Sequence, residues 1–351
     1  MLDGKGSVRH SDSTGGNVMS NSLKYKIIGD SCLDLTEELK RDPHFQMIPL
    51  TLQVDDVQIV DDETFDQKRF LELVKASPNC PKTACPSPET FKQAFTCDAE
   101  DIFVITLSSH LSGSYNSAMV GLQMYEEEYG HKNIHILDSW SASSGELRAA
   151  LLIRELEEQG VPFEEIVEKL EVFKTQMHTY FVLETLDALR KNGRLTGLQA
   201  FFATTLNIKP VMGADKGVII KLDQARGINK GLARMCAIAV KEAGDTAEKT
   251  AVIAHCNNHA RAEQVRDELL RLAPFKEIVI TETAGVATVY AGDGGIVLAI
   301  SWWIKNEIKT IQKRKDCFAK LARWSFSVMI ADLLNQLQGK NRQLWQFMMA
   351  A

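Results

Sequence analysis

The chain lacks the marks of the commonest catalytic and cofactor-binding classes. It has no Cys-x-x-Cys pair and no His-Glu-x-x-His, so neither a zinc ribbon nor a zincin helix is written in it. Neither Gly-x-Gly-x-x-Gly nor Gly-x-Ser-x-Gly occurs, which removes the dinucleotide fingerprint and the nucleophile elbow. Gly-Lys is found only at Gly4-Lys5 and Gly339-Lys340, outside any phosphate-loop context. No run of about 18 apolar residues could span a membrane. Basic charge is short as well: 40 Lys and Arg stand against 46 Asp and Glu, a net charge of -6, which argues against nucleic acid as a partner. The seven cysteines are odd in number and scattered, a usage that suits a reducing cytoplasm better than a disulfide framework.

What remains is a soluble globular composition, 45% hydrophobic and 25% charged, over 351 residues, enough for two domains. Residues 1–23 are polar, rich in Gly and Ser, and read as a disordered leader. Strand patterns at 24–29, 46–53, 101–107 and 133–137 alternate with helical patterns at 33–40, 65–75, 89–95, 115–129, 143–159 and 163–177. Residues 78–88 carry four prolines and read as an irregular loop. A second unit holds strands near 180–183, 208–212, 217–222, 250–255, 277–282 and 295–300. The alternation predicts an α/β fold: two α/β domains, 24–176 and 177–300, with mostly parallel sheets. Apolar residues such as Phe318, Leu321, Trp324 and Leu333 recur at helical spacing, so 301–351 is expected to be a helical extension. Its first half, 305–323, has seven basic residues against two acidic. It could dock on the body or touch an anionic membrane surface or partner.

The strongest local signal is Thr106-Leu107-Ser108-Ser109-His110-Leu111-Ser112-Gly113-Ser114, between a buried strand and a helix. In open α/β sheets ligands sit at the carboxyl ends of strands. The hydroxyls of Ser108, Ser109, Ser112 and Ser114, with the first amides of a helix, make a place for an anion. Gly113 permits close backbone approach. An ordinary helix cap, where serine is favoured anyway, is the competing reading. Three weaker signals accompany it. Pro81-Lys82-Thr83 offers a hydroxyl on a stiffened loop. Arg194 and Arg226 put cations on turns, where solvated charge is the usual meaning. Tyr290-Ala291-Gly292-Asp293-Gly294-Gly295 reads as a flexible turn before the last strand.

Taken in order, Asp30-Ser31, Ile48-Pro49-Leu50, Pro81-Lys82-Thr83 with Pro86-Ser87, the run from Leu107 to Ala118, Ile136-Leu137-Asp138-Ser139, Leu206-Asn207-Ile208-Lys209-Pro210 and Ala225-Arg226-Gly227 resemble the DegV family. That family includes the fatty-acid-binding subunits of bacterial fatty acid kinase. The resemblance covers about residues 24–300. It implies a long-chain fatty acid buried in a tunnel between two α/β domains, its carboxylate held by Thr83 and Ser112. Ser108, Ser109, Gly113, Ser114, Arg226 and Tyr290 would surround that site. It implies no catalytic residue, no metal and no cofactor. The protein would be a lipid carrier, with a separate ATP-binding kinase subunit as the partner that receives the acyl group.

Three departures stand out. The family's Thr-Ser-Gln-Pro reads Thr83-Ala84-Cys85-Pro86. Its late His before Gly-Pro-Gly is Tyr290, followed by Gly292-Asp293-Gly294. Residues 301–351 are additional. With Tyr290 in place of histidine, and Asp293 close by in sequence, lipid binding is expected to survive and acyl-phosphate formation to be poor. The alternatives are a small-molecule kinase subunit related to dihydroxyacetone kinase, and a regulatory adaptor acting through the C-terminal helices.

Overall fold

A computed structural model describes residues 23–195 and 207–301. The expected leader and the tail beyond Ser301 lie outside the described residues. The first half runs β1 (Tyr25–Asp30), β2 (Phe45–Ile48), β3 (Thr51–Val54), β4 (Val57–Val60), α1 (Gln67–Ala76), β5 (Lys82–Ala84), α2 (Pro88–Phe95), β6 (Asp101–Thr106), α3 (Ser114–Tyr129), β7 (Asn133–Asp138), α4 (Ser144–Glu158) and α5 (Phe163–Gln176). The second runs β8 (His178–Val182), α6 (Asp187–Lys191), β9 (Ile208–Asp215), β10 (Val218–Arg226), α7 (Ile228–Ala243), β11 (Thr250–His255), α8 (His259–Leu272), β12 (Glu277–Glu282), α9 (Gly285–Ala291) and β13 (Ile296–Ser301).

The α/β class holds, and the first main sheet is wholly parallel, ordered β2-β1-β6-β7. Strand order reverses between β1 and β6, and a crevice opens beyond their carboxyl ends. The second main sheet corrects the expectation of parallel pairing. Its order is β10-β9-β8-β13-β11-β12, and only β11 and β12 run parallel. Connection length explains one of the antiparallel pairs: β9 and β10 are joined by a tight turn at Lys216-Gly217, which permits only antiparallel pairing. Strands β6 and β11 are buried along their whole length, as strands covered on both faces must be. Helix α4 lies between the sheets, against β1 and β6 on one side and β8, β11 and β13 on the other.

A third, small antiparallel sheet, β4-β3-β5, differs from the sequence reading in two ways. The strand expected over 46–53 is two strands in two sheets, broken at Pro49, which has no N–H for the ladder. The proline-rich loop contains β5, which pairs Thr83 with Leu52. The helix expected at 33–40 shrinks to a 3-10 turn at Leu39–Arg41. Asp34 is instead tied into tertiary bonds: its carbonyl accepts from Thr281 and its carboxylate from Ser143 and Ala284.

Candidate functional site

The serine-rich loop follows β6 and is fastened from below. Fully buried Asp30 accepts the Leu107 N–H (3.0 Å) and the Cys32 N–H (3.1 Å), pinning the loop to β1. Burial pushes the Asp30 carboxyl up to about 6, against the pull of those amides. Most of the loop's hydroxyls are spent on the scaffold. Ser109 gives its O–H and N–H to Asp138 (2.5 and 3.1 Å). Ser108 donates to the Gly217 carbonyl (2.9 Å) and so latches the β9–β10 hairpin to the loop. Ser114 is buried at the first turn of α3, its N–H on the Ser112 oxygen (3.2 Å). Gly113 is the exposed cap of α3, its Cα hydrogen facing the Cys85 sulfur. Of these serines, Ser112 lines the cavity beside the loop, and Ser108, Ser109 and Ser114 do not.

That cavity lies between this loop, the loop after β7, α9, β5, β8 and the β9–β10 hairpin. Its empty space, counted out to the mouth, is about 810 Å³. Its walls are apolar, including Leu107, Phe181, Leu183, Ile219, Val286 and Val297. Several lining hydroxyls are already engaged. Ser141 and Thr179 bond each other (2.6 Å), and Ser143 donates to Asp34 (2.5 Å). Beneath the Cys32 side of the wall, burial raises the carboxyls of Asp34 to about 7 and of Glu146 well above the ordinary range.

The polar groups left to meet a ligand are Thr83, Ser112, Arg194 and Tyr290. Thr83 on β5 and Tyr290 on α9 share one hydrogen bond (2.9 Å) across 207 residues of sequence. Two hydroxyls carry two protons, so the pair keeps one to donate outward. The Arg194 guanidinium lies 5.9 Å from the Tyr290 ring centre. Its Nε donates to the Leu111 carbonyl (3.0 Å) and Nη1 to that of Asn192 (2.5 Å), while Nη2 has no hydrogen-bond acceptor among the described residues. Thr83, Tyr290 and Arg194 stand together on the wall of an apolar cavity that Ser112 also lines, a set of donors that can hold a carboxylate whose tail lies inside.

Of the eight residues expected to surround a ligand, Thr83, Ser112 and Tyr290 line the cavity; Ser108, Ser109, Gly113, Ser114 and Arg226 do not. Arg226 is exposed at the end of β10. Tyr290 sits not on a flexible turn but in the last turn of α9. Asp293 is exposed and accepts from Asn257 (2.9 Å), outside the cavity wall. Arg194 is the addition: its turn was visible in sequence, but nothing there separated it from a solvated cation.

A family model described as an uncharacterised protein, DegV family, matches residues 24–303. A DegV domain-containing protein of Streptococcus gordonii is 34% identical over 282 residues, covering 79% of this chain and 98% of its own. Among solved structures, a DegV family protein of Ruminococcus gnavus, refined with vaccenic acid, is 45% identical with a TM-score of 0.77, over 79% of this chain and 99% of that one. The fatty acid kinase B3 protein of Streptococcus pneumoniae, loaded with linoleic acid, is 32% identical with a TM-score of 0.72, over 80% of this chain and 99% of that one. Fold, loop motifs and these likenesses agree, and the chain belongs to the DegV family.

Proposed function

We propose that this protein binds a long-chain fatty acid in the cavity, with the carboxylate received by Thr83, Ser112, Tyr290 and Arg194. The observation that carries the reading is the contrast within one cavity: apolar walls, and the Thr83–Tyr290 hydroxyl pair beside the Arg194 guanidinium, with one proton of the pair left to donate. Magnitudes divide the labour. At about 0.8 kcal/mol per buried CH₂, a chain of about sixteen carbons gains on the order of 10 kcal/mol before association costs. A charge-assisted hydrogen bond contributes about 1.5–3 kcal/mol. The tail therefore supplies most of the affinity, and the head group decides that the ligand is an acid.

In this reading the protein is a cytoplasmic carrier and not a self-sufficient enzyme. It has two domains meeting at residues 176 and 177 and offers the acyl group to a separate ATP-binding kinase subunit. The Streptococcus pneumoniae relative, named as a fatty acid kinase protein, supports the partner class. The apolar walls disfavour a small polar substrate of the dihydroxyacetone type. Asp293 faces away from the cavity wall, which removes one reason to expect poor acyl-phosphate formation. Tyr290 keeps the other, since a neutral phenol cannot supply the positive charge of an imidazolium. Among the described residues no helix is long and apolar enough to cross a membrane. Native mass spectrometry of the protein as purified tests the proposal: a co-purified acid of about sixteen to eighteen carbons is expected, and a protein that stays empty when given such acids would refute it.

A further inference from the structure

Helix α9 supplies Tyr290, yet it begins without a cap of its own. The first N–H groups of any helix have no partner inside it, and the residue before α9 is Ala284, whose side chain can accept nothing. Three successive amides are met instead by two carboxylates from the other half of the chain. Asp34 accepts the Ala284 N–H (2.6 Å) on one oxygen and the Ser143 hydroxyl (2.5 Å) on the other. Asp61, directly after β4, accepts the Gly285 N–H (2.6 Å) on one oxygen and the Val286 N–H (2.8 Å) on the other. The separations in sequence are 250, 224 and 225 residues. Gly285 is obligatory for this approach: a Cβ there would lie 2.5 Å from Asp61 Oδ1 and 2.6 Å from Leu52 Cδ1. Gln67 of α1 adds bonds to the Thr283 carbonyl (2.7 Å) and the Thr288 hydroxyl (3.1 Å).

The same small sheet therefore touches the ligand end of the cavity twice. Strand β5 places Thr83 directly. Asp61, just beyond β4, fixes the start of the helix whose last turn places Tyr290, 2.9 Å from Thr83. We propose that Asp61, assisted by Asp34, is a positioning residue for the head-group site: it caps α9 from across the molecule and so sets the Tyr290 hydroxyl against Thr83 for a carboxylate ligand. Both Asp61 oxygens act as acceptors, so an amide, with only one acceptor oxygen, cannot replace it.

The inference rests on the head-group reading above, and the experiment separates the two. Hexadecanoic acid and hexadecanol are titrated into delipidated wild type, Asp61→Asn, Tyr290→Phe and the double variant, and the ratio of the two affinities is read. Asp61→Asn is expected to lower the preference for the acid roughly tenfold, the factor carried by one charge-assisted hydrogen bond. In the Tyr290→Phe background it should lower it no further. A purely structural role would weaken acid and alcohol equally, or add to Tyr290→Phe, and either result overturns the inference. If Tyr290→Phe shifts the preference and Asp61→Asn does not, the inference alone fails. If Tyr290→Phe itself leaves the ratio unmoved, the head-group reading falls with it. Should Asp61→Asn not fold, Gly285→Ala displaces the helix from the intact carboxylate and is read the same way. Should neither fold, amide exchange at Gly285 and Val286 in wild type decides. Slower exchange with the acid than with the alcohol supports the inference, and equal protection overturns it.

Discussion

Two segments bring a hydroxyl to the same cavity, and they are held in opposite ways. The loop after β6 is stitched mostly to its neighbours in the parallel sheet: Asp30 at the end of β1 and Asp138 at the end of β7 take its amides and the Ser109 hydroxyl. Helix α9 is held by side chains more than 200 residues away, and its own sequence offers no cap. The loop's geometry is a property of one sheet's carboxyl edge. The helix's geometry is a property of the whole chain having folded. Damage to the loop should therefore be local, whereas damage to the α9 anchors should reach the site through the fold.

The largest expected effect tests the loop's one hydroxyl at the cavity. Ser112→Ala should weaken fatty-acid binding by about 1.5–3 kcal/mol, roughly 10- to 150-fold, while the loss of its bonds to Ser114 costs no more than about 1 kcal/mol of stability. Unchanged affinity, measured beside the melting curve, would remove Ser112 from the site. A smaller effect is expected next door. Ser109→Ala removes a hydroxyl that serves Asp138, so it should cost about 1 kcal/mol of stability and leave affinity for the acid within about threefold. A large affinity loss there would mean that the loop acts as one unit and that the contrast with Ser112 is false.

Much of this contrast was readable in advance, for a physical reason. A serine-rich segment between a buried strand and a helix is local, and the small-residue composition next to Asp101–Thr106 marks it directly. Thr83 could be singled out because prolines fix the chain around it. Helix α9 was hidden because its capping groups are not neighbours in sequence. Gly292-Asp293-Gly294-Gly295 also reads as a loop, although it is only the exit from the helix. The roles of Asp34 and Asp61 left no local trace, since a buried acid and a surface acid look alike in sequence. Arg194 and Arg226 were equivalent as cations on turns, and only the fold put one at the cavity and the other in solvent. The antiparallel second sheet is only partly local: the turn at Lys216-Gly217 sets the β9–β10 pair, whereas the direction of β13 between β8 and β11 depends on long-range connections.

The smallest effect probes the α9 anchors through pH. Burial raises the Asp34 carboxyl to about 7, above the roughly 3.9 of an unfolded chain. The folded state then holds this proton more tightly than the unfolded state. Its contribution to stability is complete below about pH 4 and is lost as pH rises through about 7. Asp34→Asn cannot titrate, so between about pH 5 and 8 its melting temperature should fall less than that of wild type. Parallel curves would show that Asp34 keeps an ordinary carboxyl and is not sealed beneath the cavity.

The central claim is that one cavity combines an apolar bed with a carboxylate-selective end. Isothermal titration of the delipidated full-length protein with hexadecanoic acid, hexadecanol and dihydroxyacetone tests it most directly. One equivalent of the acid should bind, at least tenfold tighter than the alcohol, the discrimination expected of charge-assisted hydrogen bonds, and dihydroxyacetone should not bind. Equal affinity for acid and alcohol, or binding of dihydroxyacetone in preference to either, would contradict the account.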